Sequence, residues 1–298
     1  MPGEPEQTDW AAAPGAEFVL TLSCPDRPGI VHAVAAYLHR AGCNILDSQQ
    51  YADRAVVRFF MRVHVEAAAT DGGAGLRAGF AGTAGAFGME WELHDLARRP
   101  RVLILVSREG HCLNDLLYRR MAESLAIDVP LVTGNHPDLA PLAAAHGVPF
   151  EHIPVGPEPG SAARAEGRLL ELIGEHQIDF VVLARYMRIL SPALCGTLAG
   201  RIINIHHSFL PSFRGARPYQ QAHDYGVKVI GATAHYVTAE LDEGPIIEQE
   251  VARVTHTAGP AELAAIGRDA ERIALARAVR WHAEHRILLH GRRTVIFN

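Results

Sequence analysis

Residues 202–247 read IINIHHSFLPSFRGARPYQQAHDYGVKVIGATAHYVTAELDEGPII, a stretch with two apolar strand-like runs and three polar side chains of different chemistry. Asn204 and His206 close the first run. Because alternate strand residues project to the same side, both side chains should leave the strand end in one direction. Asp242 lies on the loop after the second run, at 229–237. An amide, an imidazole and a carboxylate that converge at strand ends suit acyl chemistry, since two can stabilise an oxyanion and one can move protons.

This stretch belongs to an alternating pattern that covers residues 97–298. Apolar runs such as RVLILVS and DFVVLAR are interleaved with helix-like segments such as CLNDLLYRRMAESL. Such a pattern predicts an α/β domain whose mostly parallel, Rossmann-like sheet is covered on both faces. Ligand sites in such sheets lie beyond the carboxyl ends of the strands, where Asn204 and His206 fall. A long helix from about Pro260 and a terminal hairpin that turns near Gly291 complete the expected domain.

Residues 16–96 show a different pattern, typical of a small α+β domain with a ferredoxin-like element order. The strand EFVLTLSC leads into PDRPG, where Asp26 is a candidate helix cap and Pro28 suits a first helical turn. A helix that ends at Gly42 follows, then two strands around an Ala-Asp-Arg turn and a closing strand, MEWELHDL. The Gly- and Ala-rich segment 72–88 keeps an apolar helical stripe, so we expect a glycine-weakened helix there.

The composition narrows the class of protein. With 28 basic and 33 acidic residues and no basic block, the formal charge is −5, which disfavours nucleic-acid binding through phosphate contacts. No apolar run approaches the ~20 residues that span a bilayer, and the first residues lack the features of a signal peptide. The four cysteines show no CxxC spacing and fit a reducing compartment. We therefore expect a cytoplasmic protein without membrane association, whose residues 1–15 form a flexible tail.

The element order at 16–96, with PDRPGIV after the first strand, resembles an ACT domain. The resemblance implies a regulatory or assembly unit in a chain that forms a homo-oligomer. Domains of this family often bind small molecules, in particular amino acids, at the first strand–helix turn. If this unit binds an amino-acid effector, the expected residues are Asp26, Arg27, Pro28 and Gly29, since free backbone N–H groups at a helix start attract carboxylates. A dimerisation unit without a ligand is the open alternative.

Residues 97–298 resemble the formyltransferase fold of tetrahydrofolate-dependent enzymes, on the ordered set INIH…LP.F.G…DEGPII. Together with the ACT-like unit, the chain resembles the formyltetrahydrofolate deformylases, which hydrolyse 10-formyltetrahydrofolate to tetrahydrofolate and formate. The resemblance implies that Asn204 and His206 stabilise the oxyanion that forms when water attacks the formyl carbon. Asp242 would position and deprotonate that water, orient His206 and help to protonate the departing nitrogen. No cofactor is expected, because the folate is itself the substrate.

Two loops should hold the folate if the resemblance extends to its binding. LARYMRILSP at 183–192 resembles the family's pterin-side loop, with Ser191 as the cap of the next helix. A buried strand-to-helix connection is the alternative for this loop. The second loop, at 237–242, would offer backbone groups to the pterin edge. The substrate-binding residues expected from these loops and the surrounding motif are Arg188, Ile189, Leu190, His207, Gly215, Val237, Thr238, Ala239 and Leu241.

The first strand–helix turn of the larger domain separates hydrolysis from transfer. It reads SREGHCLNDLL, with one glycine and Glu109 beside it, whereas a phosphate cradle of backbone N–H groups favours several glycines and no nearby negative charge. By the resemblance, His207 also stands where the transferases usually have proline. Water is therefore the expected acceptor. A formyltransferase with a non-ribonucleotide amine acceptor, and a folate- or amino-acid-binding regulator without activity, are the alternatives.

The 17 histidines raise the question of a metal site. The side chains that such a site would gather are His206, His207, His223, His235 and Asp242. No HExxH or comparable ligand spacing is present, so we expect no metal. No GxGxxG follows the first strand of the larger domain, so we expect no dinucleotide cofactor.

Overall fold

The computed structural model describes residues 15–68, 71–210 and 218–298. Its chain divides into two compact units, the first ending at Arg98 and the second beginning at Arg99. The predicted tail, Gly15 apart, lies outside the described residues, as does Gly215. Within the described ranges, no helix combines the length and the apolar character needed to cross a membrane.

The first unit is a four-stranded antiparallel sheet with two helices packed on one face. Its elements are β1 (Ala16–Pro25), α1 (Ile30–Arg40), β2 (Asn44–Asp53), β3 (Arg58–Ala67), α2 (Ala74–Phe87) and β4 (Glu90–Asp95). The strands lie in the order β2-β3-β1-β4. Phe18 and Leu20 of β1 share one core with Val34 of α1 and with Leu76 and Phe80 of α2. The predicted ferredoxin-like order is confirmed, including the glycine-weakened helix.

The start of α1 differs from the prediction. Gly29 precedes the helix in a left-handed conformation with φ 96°, and no side chain accepts a hydrogen bond from the first turn. Asp26 therefore does not cap the helix, and Pro28 lies before its first residue. The reason is that the chain reverses direction at Gly29, in a left-handed conformation that only glycine adopts easily. In addition, the backbone N–H of Asp26 donates to the Val57 carbonyl.

The turn between β2 and β3 also lies later than predicted. It spans 54–57, because the antiparallel pairing continues to Asp53 opposite Arg58. The Ala-Asp part of the predicted turn is therefore still strand.

The second unit alternates strands and helices along most of its length. Its elements are β5 (Arg101–Val106), α3 (His111–Met121), β6 (Asp128–Gly134), a 3-10 helix (Pro137–Leu139), α4 (Ala140–Ala145), β7 (Phe150–His152), α5 (Ser161–Glu175), β8 (Phe180–Leu183), α6 (Pro192–Thr197), β9 (Ile202–His206), α7 (Pro218–Asp224), β10 (Val229–Tyr236), β11 (Ile246–Arg253), α8 (Pro260–Ala283), β12 (Ile287–His290) and β13 (Arg293–Ile296). The last two strands form the expected hairpin around Gly291.

Seven of these strands form a mostly parallel sheet in the order β11-β10-β9-β8-β5-β6-β7. The five strands β7, β6, β5, β8 and β9 run parallel to one another, whereas β10 runs antiparallel to both β9 and β11. The α/β prediction is thus confirmed, with an antiparallel edge of two strands. This edge matters for the site, because the antiparallel pairing places His235 of β10 opposite Asn204 of β9.

Helices cover both faces of this sheet, because its strands are apolar on both sides. On one face, Ile203 and Ile205 of β9 pack in a core with Ala274 and Leu275 of α8. On the other face, a second core contains Leu169 of α5, among residues of β5, β8 and α6. Since Ile203 and Ile205 point toward α8, the alternation of the strand turns Asn204 and His206 to the opposite side.

Candidate active site

Asn204 and His206 line one pocket at the carboxyl end of β9, on the same side of the strand. His206 is 7% exposed, so its imidazole is held away from bulk water. The pocket also contains Asp242, from the connection between β10 and β11. The three side chains predicted from 202–247 are therefore brought together, as the alternation of the strand and the turn after β10 require. We call this cavity the β9 pocket.

Asp242 lies against His206, with its Oδ1 3.2 Å from the imidazole Nδ1. The hydrogen bond from His206 lowers the pKa of the Asp242 carboxyl, although partial burial acts in the opposite direction. Asp242 has a left-handed backbone, with φ 57°. Gly244 fixes the turn that follows, because a Cβ there would lie 1.7 Å from the Tyr236 carbonyl oxygen. The carboxylate is thus ionised and directed at His206 by a tightly constrained loop.

His235, which the sequence offers only as a member of a possible metal site, also lines the β9 pocket. It lies opposite Asn204 in the β9–β10 pairing and is 2% exposed. Its Nδ1 is 2.9 Å from the Tyr236 carbonyl oxygen, which can only accept, so Nδ1 carries the proton. Burial lowers the pKa of His235, which keeps the ring neutral, and Nε2 is then an acceptor. It accepts a hydrogen bond of 3.2 Å from Asn204 Nδ2, so His235 fixes the orientation of the Asn204 amide.

The predicted folate-binding residues line the β9 pocket wherever the structure describes them. They are Arg188, Ile189, Leu190, His207, Val237, Thr238, Ala239 and Leu241. Gly215 lies outside the described residues. Ile189 is 74% exposed, which is unusual for an aliphatic side chain beside a pocket and suits contact with a flat ring.

Four hydrogen bonds to distant residues hold the loop at 184–191 that forms one wall of the pocket. Ser107 Oγ accepts from the Met187 backbone N–H at 2.9 Å, and the Arg188 guanidinium donates to the Val155 carbonyl oxygen at 2.8 Å. Glu166 of α5 accepts from both the backbone N–H and the hydroxyl of Ser191, at 2.7 and 2.5 Å. Ser191 also caps α6, as predicted, by accepting from Leu194 N. The position of this loop is therefore fixed by hydrogen bonds to the rest of the second unit.

A buried network below the pocket was not predicted. Glu271 of α8 is 1% exposed and accepts hydrogen bonds from His111 Nε2 at 2.7 Å and from the Tyr219 hydroxyl at 2.9 Å. Arg185 Nε lies 3.4 Å from the same carboxylate, and Arg185 itself lines the β9 pocket. His111 and Glu271 are 160 residues apart in the sequence. No local sequence pattern could have predicted this contact. The sequence signal for it was a glutamate on the buried stripe of a long helix.

Ligand-type atoms of His111, Cys112 and Glu271 lie within 4.8 Å of one another. Both Glu271 oxygens already accept hydrogen bonds, however, and the nearby cationic Arg185 disfavours a metal ion there. Of the histidines gathered in the metal hypothesis, His223 does not line the β9 pocket and instead pairs with Asp224. The cysteines are all buried as free thiols.

The predicted effector residues lie between β1 and α1 of the first unit. The Arg27 guanidinium lies 4.4 Å above the Phe87 ring and donates to the Ala86 carbonyl, so it is held against the end of α2. The N–H of Asp26 is already used by Val57, and Pro28 has none. An incoming carboxylate would therefore depend on the N–H groups from Gly29 onward and on Arg27.

Two protein-family models match the chain. One, described as formyl transferase, matches residues 100–279, and the other, described as ACT domain, matches residues 18–74. Both predicted resemblances are thus confirmed. The order and positions of the two matches agree with the two units of the structure.

Individual relatives match across both units. A formyltetrahydrofolate deformylase of Corynebacterium sp. (strain P-1) is 50% identical over 279 residues, which cover 93% of this chain and 97% of that protein. The crystal structure of a formyltetrahydrofolate deformylase from Burkholderia mallei is 49% identical, with a TM-score of 0.90 over 95% of this chain and 100% of the other. A glycinamide ribonucleotide transformylase from Symbiobacterium toebii is 31% identical, with a TM-score of 0.62, over 67% of this chain and 95% of its own.

Proposed function

Since this chain belongs to the formyltetrahydrofolate deformylase family, we propose that it hydrolyses 10-formyltetrahydrofolate to tetrahydrofolate and formate at the β9 pocket. As a member of that family it is a hydrolase of formyltetrahydrofolate. The observation that carries the proposal is the group of Asn204, His206 and Asp242, with a 3.2 Å contact between the last two, inside one pocket.

Asn204 and His206 supply the oxyanion donors. One Nδ2 hydrogen of Asn204 is used by His235, which leaves the second for the formyl oxygen. His206 uses Nδ1 toward Asp242, while its buried Nε2 has no hydrogen-bond partner within the described ranges and can donate to the same oxygen when protonated. Removing one such donor typically costs about 10²- to 10³-fold in rate.

Asp242 is the proposed group for proton transfer. Its pKa is lowered by His206, so it is ionised at neutral pH and can accept a proton from water. Water oxygen bonds to the formyl carbon, the carbon–nitrogen bond breaks, and the folate nitrogen takes up a proton as it leaves. The products are formate and tetrahydrofolate. These steps use side chains alone, and we propose neither a metal nor a further cofactor.

Water is the proposed acceptor because the turn after β5 is occupied by other contacts. Ser107 Oγ accepts from Met187 N, and also from the Asn135 side-chain amide at 2.6 Å. His111, the first residue of α3, is bonded to Glu271. These groups and the carboxylate of Glu109 leave a poor cradle for the phosphate of a ribonucleotide acceptor.

Product analysis on 10-formyltetrahydrofolate without any added acceptor tests the proposal. We expect stoichiometric formate and tetrahydrofolate, unchanged by glycinamide ribonucleotide. Intact substrate, together with turnover that appears only when an amine is added, would show a transferase instead. Binding of folate without any turnover would show a regulator.

Asp242→Asn tests the proposed proton transfer. Asparagine tolerates the left-handed backbone at this position, so the fold should be kept while the base is lost. We expect kcat to fall by about 10²- to 10⁴-fold. Asp269→Asn, at an exposed carboxylate of α8, is the matched control and should not change kcat. Unaltered turnover in Asp242→Asn would contradict the role given to Asp242.

The first unit supports two further parts of the proposal. We propose that Asp26, Arg27, Pro28 and Gly29 bind an amino-acid effector, because the match to an ACT domain covers this turn. We propose a homo-oligomer on the same ground.

The chain is proposed to act in the cytoplasm and to bind neither nucleic acid nor membrane, which fits its folate substrate, its free buried cysteines and its formal charge of −5.

A further inference from the structure

The β9 pocket contains a cationic group that the proposed hydrolysis does not use. Arg185 follows β8 at its carboxyl end and lines the pocket together with Asn204, His206 and Asp242. Its side chain is 15% exposed, so most of the guanidinium is removed from water. Its backbone is left-handed, with φ 64°, a conformation that costs free energy for any residue other than glycine. Strained backbone of this kind is concentrated at functional sites.

The donors of Arg185 are not consumed by its ion pair. Arg185 Nε lies 3.4 Å from Glu271 Oε2. Although Nε is buried, it has no hydrogen-bond partner in the part of the chain that the structure describes. Glu271 takes its hydrogen bonds from His111 and Tyr219 instead. Burial alone would raise the pKa of Glu271, but the His111 hydrogen bond and the Arg185 charge hold it below its usual range. Glu271 therefore stays ionised and balances the charge of Arg185.

His207 completes the polar side of the pocket. Its ring stacks on His206 with centroids 4.7 Å apart, and its buried Nε2 likewise lacks a hydrogen-bond partner among the described residues. Burial, and then the charge of Arg185, lower the pKa of His207 to about 4, so the ring is neutral at pH 7. A neutral ring can present an N–H beside the guanidinium without adding a repelled cation.

Because a guanidinium presents parallel N–H donors that match a carboxylate, we propose that Arg185 and His207 form a binding site for formate. The inference rests on the proposed function. When the carbon–nitrogen bond breaks, the formyl carbon becomes a carboxylate in the same pocket that Arg185 lines. Arg185 would then receive the new negative charge as it leaves the oxyanion donors. A transferase, whose formyl group leaves as part of an amide, has no need of this group.

Binding of ¹³C-formate to the full-length protein, followed by the relaxation of the formate carbon signal, tests the inference. We expect saturable binding in the wild type and formate product inhibition in the turnover assay. Arg185→Met should weaken both by about 10- to 100-fold, as expected for the loss of a charge-assisted pair. Arg185→Lys keeps the charge without the paired donors and should give an intermediate affinity.

Arg277→Met is the matched control, because Arg277 is an arginine of α8 that does not line the β9 pocket and is bonded to Glu250 at 2.6 Å. It should leave formate affinity within about twofold. If Arg185→Met does not fold because Glu271 is left as a buried unpaired charge, Arg185→Met combined with Glu271→Gln removes both charges and answers the same question.

The outcomes separate this inference from the proposed function. Wild-type protein that hydrolyses the folate but shows no formate binding, or whose formate affinity is unchanged by Arg185→Met, overturns the formate site and leaves the hydrolase intact. Protein without hydrolysis in water overturns the proposed function itself. Hydrolysis with formate affinity that falls specifically in Arg185→Met supports both.

Discussion

Three histidines near the carboxyl end of β9 and in the neighbouring strand have different surroundings and therefore different chemistry. His206 is paired with the Asp242 carboxylate. His207 is partly buried near the cation of Arg185, and His235 is bonded to a backbone carbonyl and to Asn204. In the proposed mechanism, the same side chain would thus serve as oxyanion donor at His206, as neutral donor at His207 and as support for an amide at His235.

His235→Leu should impair catalysis through Asn204. Without the acceptor at Nε2, the Asn204 amide is free to rotate and its donor is no longer held toward the formyl oxygen. We expect kcat to fall about tenfold or more, toward the 10²- to 10³-fold cost of losing an oxyanion donor, with a smaller change in KM. Steady-state kinetics of His235→Leu, Asn204→Ala and the double variant measure this effect.

The double variant is the informative comparison. If His235 acts through Asn204, its substitution should have little further effect in an Asn204→Ala background. Additive losses would mean that His235 acts independently. His235→Gln, which can also donate to a carbonyl and accept from an amide, should recover part of the activity.

His207 should make folding stability depend on pH. Its pKa is about 4 in the folded protein and about 6.5 in an unfolded chain. Between these values only the unfolded chain binds the proton, so this stabilisation is present above about pH 6.5 and is lost as pH falls toward 4. From this residue we expect the free energy of unfolding to fall by about 2 kcal/mol between pH 7 and pH 5.

Urea unfolding of the wild type and His207→Asn at both pH values measures this loss. Asparagine does not titrate, so the variant should lose about 2 kcal/mol less than the wild type over the same interval. Equal losses in the two proteins would contradict the neutral state of His207 in the folded protein.

At the scale of elements, the strands of the second unit could be predicted from their apolar runs, and Asn204 and His206 from the alternation of one strand. The place of His235 could not, because it depends on β10 pairing antiparallel with β9, which only the assembled sheet decides. The same holds for Arg185 and Glu271, which meet because α8 packs on the sheet. The predicted cap at Asp26 failed because the reversal at Gly29 displaced the helix start.

Glu166 illustrates how one element shapes another. From α5 it bonds both polar groups of Ser191, which ends the pocket loop at 184–191. We expect Glu166→Ala to loosen this wall and to raise KM for the folate by about tenfold, with a smaller effect on kcat. Glu171→Ala, an exposed carboxylate on the same helix that pairs with Arg168, is the control. A kcat that falls more than KM rises would place the effect on the chemistry rather than on binding.

At the scale of the whole molecule, the chain joins a unit that carries the β9 pocket to a unit that matches an ACT domain. If the first unit is a sensor, titration of the full-length protein with individual amino acids should change turnover for at least one of them. Arg27→Ala should weaken that response, because it removes the guanidinium held beside the β1–α1 turn. Arg54→Ala, at an exposed position of the β2–β3 turn, is the matched control.

Turnover that no amino acid alters would indicate a purely structural role for the first unit. The ACT-like order could be predicted from the sequence, but the ligand could not, since the turn offers mainly backbone groups. Backbone N–H groups recognise a carboxylate without specifying the rest of the molecule.

The left-handed backbone of Arg185 and Asp242 affects which substitutions selection would favour at these two positions. Glycine at either position would relieve the strain and favour folding, yet it would delete the carboxylate of the proposed mechanism or the guanidinium of the proposed formate site. A laboratory population selected for heat tolerance alone should therefore drift toward glycine or asparagine at both positions. Their retention would require continuous selection for turnover.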